Sequence, residues 1–332
     1  MKNLKKKALV PAIAMVLASV IALSGVTYAW FTTGTTADVK AMDVNVATAN
    51  GIQVSLDGVS WKSTITSTDI INAISGVVST YPGRLIQYPR AVAGDGQAAV
   101  EISPVSSAGN VKDGKMEMFY GAYNQGGNLD SIAEVEDNRS DGGNFIAFDL
   151  FFKTSSAQDL YLITGNGSSS VSCVNLSGGD TDMGTEKAVR VAFIPMGTSG
   201  TVAGIQGKKM AEGKAIIWEP NSDSHVDTSI SGAVAYKGFT KAFTDVAEGA
   251  LSANEVEDVK PIYSAQLNDP NSVIISMNET YSKVRVYIWL EGQDIDCVNS
   301  ISNGDFSVAL QFGVNPPEET TTESTAPEGG EG

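Results

Sequence analysis

The chain is short of the residues from which most catalytic sites are built. It holds one histidine, His225, and two cysteines among 332 residues. A zinc peptidase of the common kind needs two histidines on one helix face with a glutamate as base, and one histidine cannot supply that set. A serine-type site would have to use His225 as its base, yet no Gly-x-Ser-x-Gly elbow is present. His225 lies in the polar stretch 222–227 and reads as an ordinary surface residue. Basic residues are scarce too: 22 Lys and Arg stand against 38 Asp and Glu, for a net charge of −16. Nucleic-acid binding needs Lys/Arg clusters to displace counterions, so that class is excluded.

The acids themselves point to no particular chemistry. Asp137-Asn138-Arg139-Ser140-Asp141, Asp180-Thr181-Asp182 and Asp294-Ile295-Asp296 bring oxygen ligands together. None follows the twelve-residue calcium loop with its distal glutamate, and they read as turns. Nothing marks Glu219 or Glu291 as a glycosidase carboxylate rather than a structural acid. Gly126-Gly127 and Gly178-Gly179 lack the lysine and the strand-to-helix context of a phosphate loop. The sequence therefore calls for no cofactor, no metal and no catalytic residue, and the expectation is a protein that is not an enzyme.

What is present begins at the N-terminus. Lys5, Lys6 and Lys7 precede an uncharged apolar run, residues 8–26, closed by small residues at Ser24, Gly25, Thr27 and Ala29. A basic start, an apolar middle and a small-residue end make a secretory signal peptide, with Thr27 and Ala29 at the −3 and −1 positions of a cut between Ala29 and Trp30. The competing reading is a retained anchor, because residues 8–29 would span about 33 Å as a helix. Pro11, Ser19, Ser24 and Gly25 weaken that alternative. Cleavage removes four lysines and no acids, so −16 becomes −20 in the mature chain.

The junction Gly25-Val26-Thr27-Tyr28-Ala29-Trp30-Phe31 resembles the signal peptides of the TasA/camelysin group of Gram-positive secreted proteins, which a dedicated SipW-type signal peptidase processes. The resemblance covers about thirty residues, and the body is longer than a typical member. It implies a secreted or cell-surface location, signal peptidase as one partner, and self-association or other matrix proteins as further ones. Proteins resembling TasA form extracellular fibres. Camelysin-type proteins have been classed as peptidases, a reading that the single histidine opposes.

In an exported chain the pair Cys173 and Cys297 invites a disulfide. It would close a loop of about 124 residues, worth about 4–5 kcal/mol before strain. Two buried, reduced cysteines are the alternative.

The body reads as strands. Residues 37–49 alternate, with Val44 and Val46 on one side. Ile52, Val54 and Leu56 lead into Asp57-Gly58, a two-residue hairpin loop that pairs Leu56 with Val59 and Val54 with Trp61. Thr68-Asp69, before Ile70, Ile71 and Ile74, caps a short helix that ends near Gly76. Residues 81–104 read as a long connection, and residues 131–136 as a weak helical turn. Residues 145–152 are apolar on both faces apart from Asp149, as in a central strand, with residues 160–164 returning as the partner. Strands follow at 171–174, 188–195, 215–218, 283–290 and 305–312; residues 244–259 form a helix or a solvated loop, and residues 316–332 a Pro/Glu/Thr/Gly tail.

Short alternating strands without a long amphipathic helix predict an all-β protein, a jelly-roll-like β-sandwich body over residues 30–315, as one large or two fused sandwiches. The function expected is a structural protein of the cell surface or biofilm matrix, polymerising or associating through β-strands; its N-terminal strand, residues 30–46, either adds to a neighbouring copy or pairs within its own sandwich. A monomeric adhesin or glycan-binding module is the alternative.

Overall fold

The computed structural model describes residues 37–46, 51–74, 80–87, 91–92, 98–105, 107, 109–123, 129–132, 143–163, 169–172, 184–219, 260–263, 273–292, 297 and 304–314. In chain order the elements are β1 (Ala37–Val46), β2 (Gln53–Ser55), β3 (Thr64–Ile65), α1 (Ser67–Ile74), β4 (Ile86–Gln87), β5 (Ala91–Val92), β6 (Ala98–Ile102), β7 (Asn110–Lys112), β8 (Lys115–Met116), β9 (Met118–Tyr123) and β10 (Leu129–Ile132). They continue as β11 (Phe145–Lys153), β12 (Gln158–Leu162), β13 (Ser170–Ser172), β14 (Val189–Ser199), α2 (Val202–Gln206), β15 (Glu212–Lys214), β16 (Ile216–Glu219), β17 (Lys260–Tyr263), β18 (Val273–Met277), β19 (Tyr281–Leu290) and β20 (Gly304–Gly313). The protein is all-β.

Two sheets carry the structure. One has eight strands, with the path β18-β12-β20-β1-β6-β5 and with β13 and β3 beside it. The other has seven, with the path β17-β16-β14-β19-β11-β2 and with β4 against β11. Among the described strands two pairings are parallel, β1 with β20 and β16 with β17.

Alternation explains which side chains meet. Ile146, Phe148, Leu150 and Phe152 of β11, Val284, Val286 and Ile288 of β19, and Val189, Val191 and Phe193 of β14 all enter one core. Val44 of β1 and Phe306, Val308, Leu310 and Phe312 of β20 meet them from the eight-stranded sheet. Phe312 contacts Phe152 and Phe193 across the core, with ring centroids 5.0 and 5.7 Å apart.

The other face of the seven-stranded sheet is also covered. Phe145, Ala147, Ala192, Ile194, Tyr287 and Trp289 pack there with Leu85, Val111 and Met116. Leu85 belongs to the segment before β4, and Val111 and Met116 to a small sheet ordered β15-β7-β8. Both faces of β11, β14 and β19 are thus covered over most of their length, which is why residues 145–148, 191–194 and 286–290 are unbroken apolar runs.

Several local expectations need correction. The Asp57-Gly58 turn forms, with Gly58 at φ 74°, but the return is one residue longer. Val54 pairs with Lys62, not Trp61, through backbone bonds of 2.8 and 2.9 Å. Asp57 turns inward and accepts the N–H groups of Val59 at 2.8 Å and Ser60 at 2.7 Å and the Ser55 hydroxyl at 2.8 Å. This local side-chain network competes successfully with a two-residue loop. Val59 therefore faces solvent, 54% exposed, and Trp61 stacks on Tyr281 at 5.6 Å.

The helix starts earlier than Thr68-Asp69 suggests. Thr66 caps it: its hydroxyl accepts the Asp69 N–H at 3.3 Å, and the Asp69 carboxylate accepts the Thr66 N–H at 3.1 Å. This is a reciprocal capping box.

Residues 160–162 do not return beside β11, and residue 164 lies outside the described residues. The strand of residues 160–162, β12, pairs with β18 and β20 in the other sheet. The reason is that β11 has no edge to offer, with β19 along one side and β2 and β4 on the other. The connection expected over residues 81–104 contains β4, β5 and β6, and Ser131 and Ile132 lie in β10 rather than in a helical turn.

Candidate functional site: the β1 slot and a buried charge cluster

Two places in the fold merit a functional reading. The first is the slot that β1 fills. On one side β1 runs parallel to β20, from Ala37 opposite Gly304 to Val46 opposite Phe312, with a bulge between Val39 and Ala41. On its other side, β6 pairs at residues 37–39 and β3 at Val44 and Asn45. The first and last strands of the described chain are therefore neighbours, and β1 is interior to its sheet. Val39, Met42, Val44 and Val46 are all buried by it, each worth roughly 1.5–3 kcal/mol.

The second is a charge cluster on the outer face of the seven-stranded sheet. Asp149 stands directly opposite Arg285, with Lys283 two residues along β19. Arg285 grips the carboxylate with two bonds, Nε to Oδ1 at 2.7 Å and Nη2 to Oδ2 at 3.1 Å. Lys283 Nζ lies 3.2 Å from Oδ2, and the Tyr81 hydroxyl donates to the same oxygen at 2.9 Å. The remaining donors reach backbone carbonyls. Arg285 donates to Gly114 at 2.7 Å and to Gly83 at 2.8 Å, and Lys283 donates to Gln206 and Lys208, both at 3.3 Å. Lys283 also lies over the rings of Tyr81 and Phe151, 5.1 and 5.6 Å from their centroids.

Burial alone would push the Asp149 carboxyl up, but the charge and hydrogen bonds of Arg285, aided by Lys283 and Tyr81, hold it below the usual range. Burial pushes Lys283 down, partly opposed by Asp149. Burial and the adjacent Asp149 charge push Tyr81 well up, so it stays a neutral donor. The guanidinium fork favours the ionised carboxylate of Asp149, which Lys283 faces at 3.2 Å. With side chains 0–4% exposed, the cluster ties three separate segments, at Gly83, Gly114 and Gln206–Lys208, onto the sheet.

Among the residues singled out from sequence, Ala29, Trp30, Cys173 and His225 lie outside the described residues, as do the acidic groups at 137–141, 180–182 and 294–296. Cys297 is fully buried in the shared core. Glu291 turns inward and accepts the Trp289 indole N–H at 2.9 Å, a structural role. Among the described residues, no three His, Cys, Asp or Glu side chains gather as a metal site, and no helix is long and apolar enough to cross a membrane.

The charge cluster was missed from the sequence, although a signal existed. The run Lys283-Val284-Arg285-Val286 places two cations on one face of an otherwise apolar strand, and Asp149 is the lone acid in another. No protein family, curated protein or solved structure matches the chain.

Proposed function

We propose that this chain is a secreted or cell-surface structural protein of the extracellular matrix, not an enzyme, and that it assembles by donating its first strand to a neighbouring copy. The observation that supports this reading most directly is the placement of β1 between β20 on one side and β6 and β3 on the other. A strand that enters an otherwise complete sheet from the chain's N-terminal end can be exchanged for the identical strand of another copy. The strand makes the same bonds in both states, so the exchange is a low-cost route to assembly. The export segment with its Ala29/Trp30 junction supports release of that end by signal peptidase, and the resemblance to the TasA/camelysin group belongs to the same reading.

N-terminal sequencing of the exported protein should give a start at Trp30. Electron microscopy and size-exclusion chromatography of that protein should show oligomers or filaments, which an excess of a peptide of residues 37–46 shortens by occupying free slots. A monodisperse monomer at high concentration, indifferent to the peptide, overturns the proposal. An intact Lys5–Lys7 segment on the exported protein would instead make it a membrane-anchored ectodomain.

A further inference from the structure

The second edge of β1 is covered in pieces. β6 reaches only residues 37–39, and β3 only Val44 and Asn45. Between them lies Met42, fully buried, whose edge-facing backbone groups meet a side chain instead of a strand. The Met42 N–H donates to Oγ of Ser67 at 2.6 Å, and the same hydroxyl donates to the Met42 carbonyl at 3.0 Å. A hydroxyl offers one donor and two acceptor lone pairs, so a single serine satisfies both groups.

Register explains why the serine is there. Val44 faces Ile65 and Asn45 faces Thr64; carried two residues further, the same ladder puts Ser67 opposite Met42. By that point the chain has left β3 and begun α1, so the Ser67 hydroxyl stands in for the missing backbone pair. It is not needed to cap the helix, because Thr66 and Asp69 cap each other. The helix that presents it is fixed by Ile70 and Ala73, both completely buried, and by the Lys62–Asp69 ion pair at 2.5 Å. On the opposite edge, the bulge between Val39 and Ala41 shifts the alternation so that Val39 and Met42 both face the core. Sliding the strand by one residue would turn Val44 and Val46 outward and offer Ser67 the wrong residue.

We infer that Ser67 is the positioning residue that sets the register of residues 37–46 in the slot between β20 and α1, whether the strand is the chain's own or, as strand donation requires, that of a second copy. The second-copy occupant rests on the strand-donation reading; the clamp does not. Amide hydrogen exchange on the full chain separates the two. Ser67→Ala should speed exchange of the Met42 amide about tenfold while leaving Val44 protected, and Ser67→Thr, which keeps a hydroxyl, should restore it. Thr66→Ala should loosen α1 without singling out Met42. A Met42 amide that is no faster in Ser67→Ala, or that Thr66→Ala releases equally, overturns the clamp.

Isotopically heavy and light copies are then mixed and their co-assembly followed by native mass spectrometry. Co-assembly about tenfold faster in Ser67→Ala than in the parent supports the acceptor site, and equal rates overturn the part given to Ser67 in it. No mixing in either protein, with Met42 selectively released, overturns the second-copy occupant and the strand-donation reading while the clamp stands.

Discussion

Asp149 is the carboxylate that two buried cations share, and its loss should be felt more than that of any surface acid. Asp149→Asn leaves Arg285 and Lys283 buried without their counter-charge, so it should destabilise the protein by about 3–5 kcal/mol in chemical denaturation. The same residue sets the acid limb of stability. Its folded pKa is depressed, so its contribution is complete above the ordinary aspartate value of about 3.9 and is lost as pH falls from there through the folded value. That part of the limb should flatten in Asp149→Asn. Lys283, a base whose folded pKa is also lowered, adds stability as pH rises from that folded value toward its ordinary one of about 10.4. Lys283→Met should remove this alkaline gain.

A second prediction at this scale concerns Gly58. Its φ of 74° is strained for any L side chain, and a Cβ there would lie 3.3 Å from Phe151 Cδ1. Gly51 has a similar φ of 70° with open space around it. Gly51→Ala should therefore cost about 1–2 kcal/mol from backbone strain alone, and Gly58→Ala more, because the buried Phe151 ring has to move. Equal losses from the two would mean that the ring yields freely.

Among the elements, β20 joins the two halves of the core. Phe312 faces Phe152 and Phe193 of the opposite sheet and is completely buried. Phe312→Ala should destabilise by about 3–5 kcal/mol, measured by denaturant unfolding. This strand was also the most legible: Phe306, Val308, Leu310 and Phe312 alternate with Ser307, Ala309 and Gln311 as the residues themselves require. The strands buried on both faces were legible as well, since an apolar run such as Phe145–Phe152 leaves no solvent side. What could not be read was partner choice. β12 carries the same alternation whichever sheet receives it, and only the occupied edges of β11 decide. The hairpin register failed for a different reason, because Asp57 satisfied its own loop with side-chain bonds that no apolar pattern reveals. Ser67 was invisible for the same cause, being one serine at a helix start whose meaning comes from a strand 25 residues earlier.

For the whole molecule, the joining of the first strand to the last is the feature with the widest consequence. Pairing Ala37 with Gly304 requires the two ends of the described chain to meet, the kind of long-range closure that slows folding. It also makes β1 a poor target for deletion. Removing residues 37–46 would take out an interior strand and the buried side chains of Ala37, Val39, Met42, Val44 and Val46, so lost assembly would not be distinguished from lost folding. Salt is a cleaner probe. The chain carries 38 acids against 22 bases, so under the proposed strand donation the approaching copies would repel one another through that excess. Backbone hydrogen bonds and buried apolar side chains hold a strand in the β1 slot, and screening leaves both intact. Association should therefore speed up as ionic strength rises from about 0.01 M, where the screening length is roughly 30 Å, to about 0.15 M, where it is roughly 8 Å. Light scattering at fixed protein concentration gives the rate. Association that slows with added salt would point to charge pairing between copies and away from the exchange of β1.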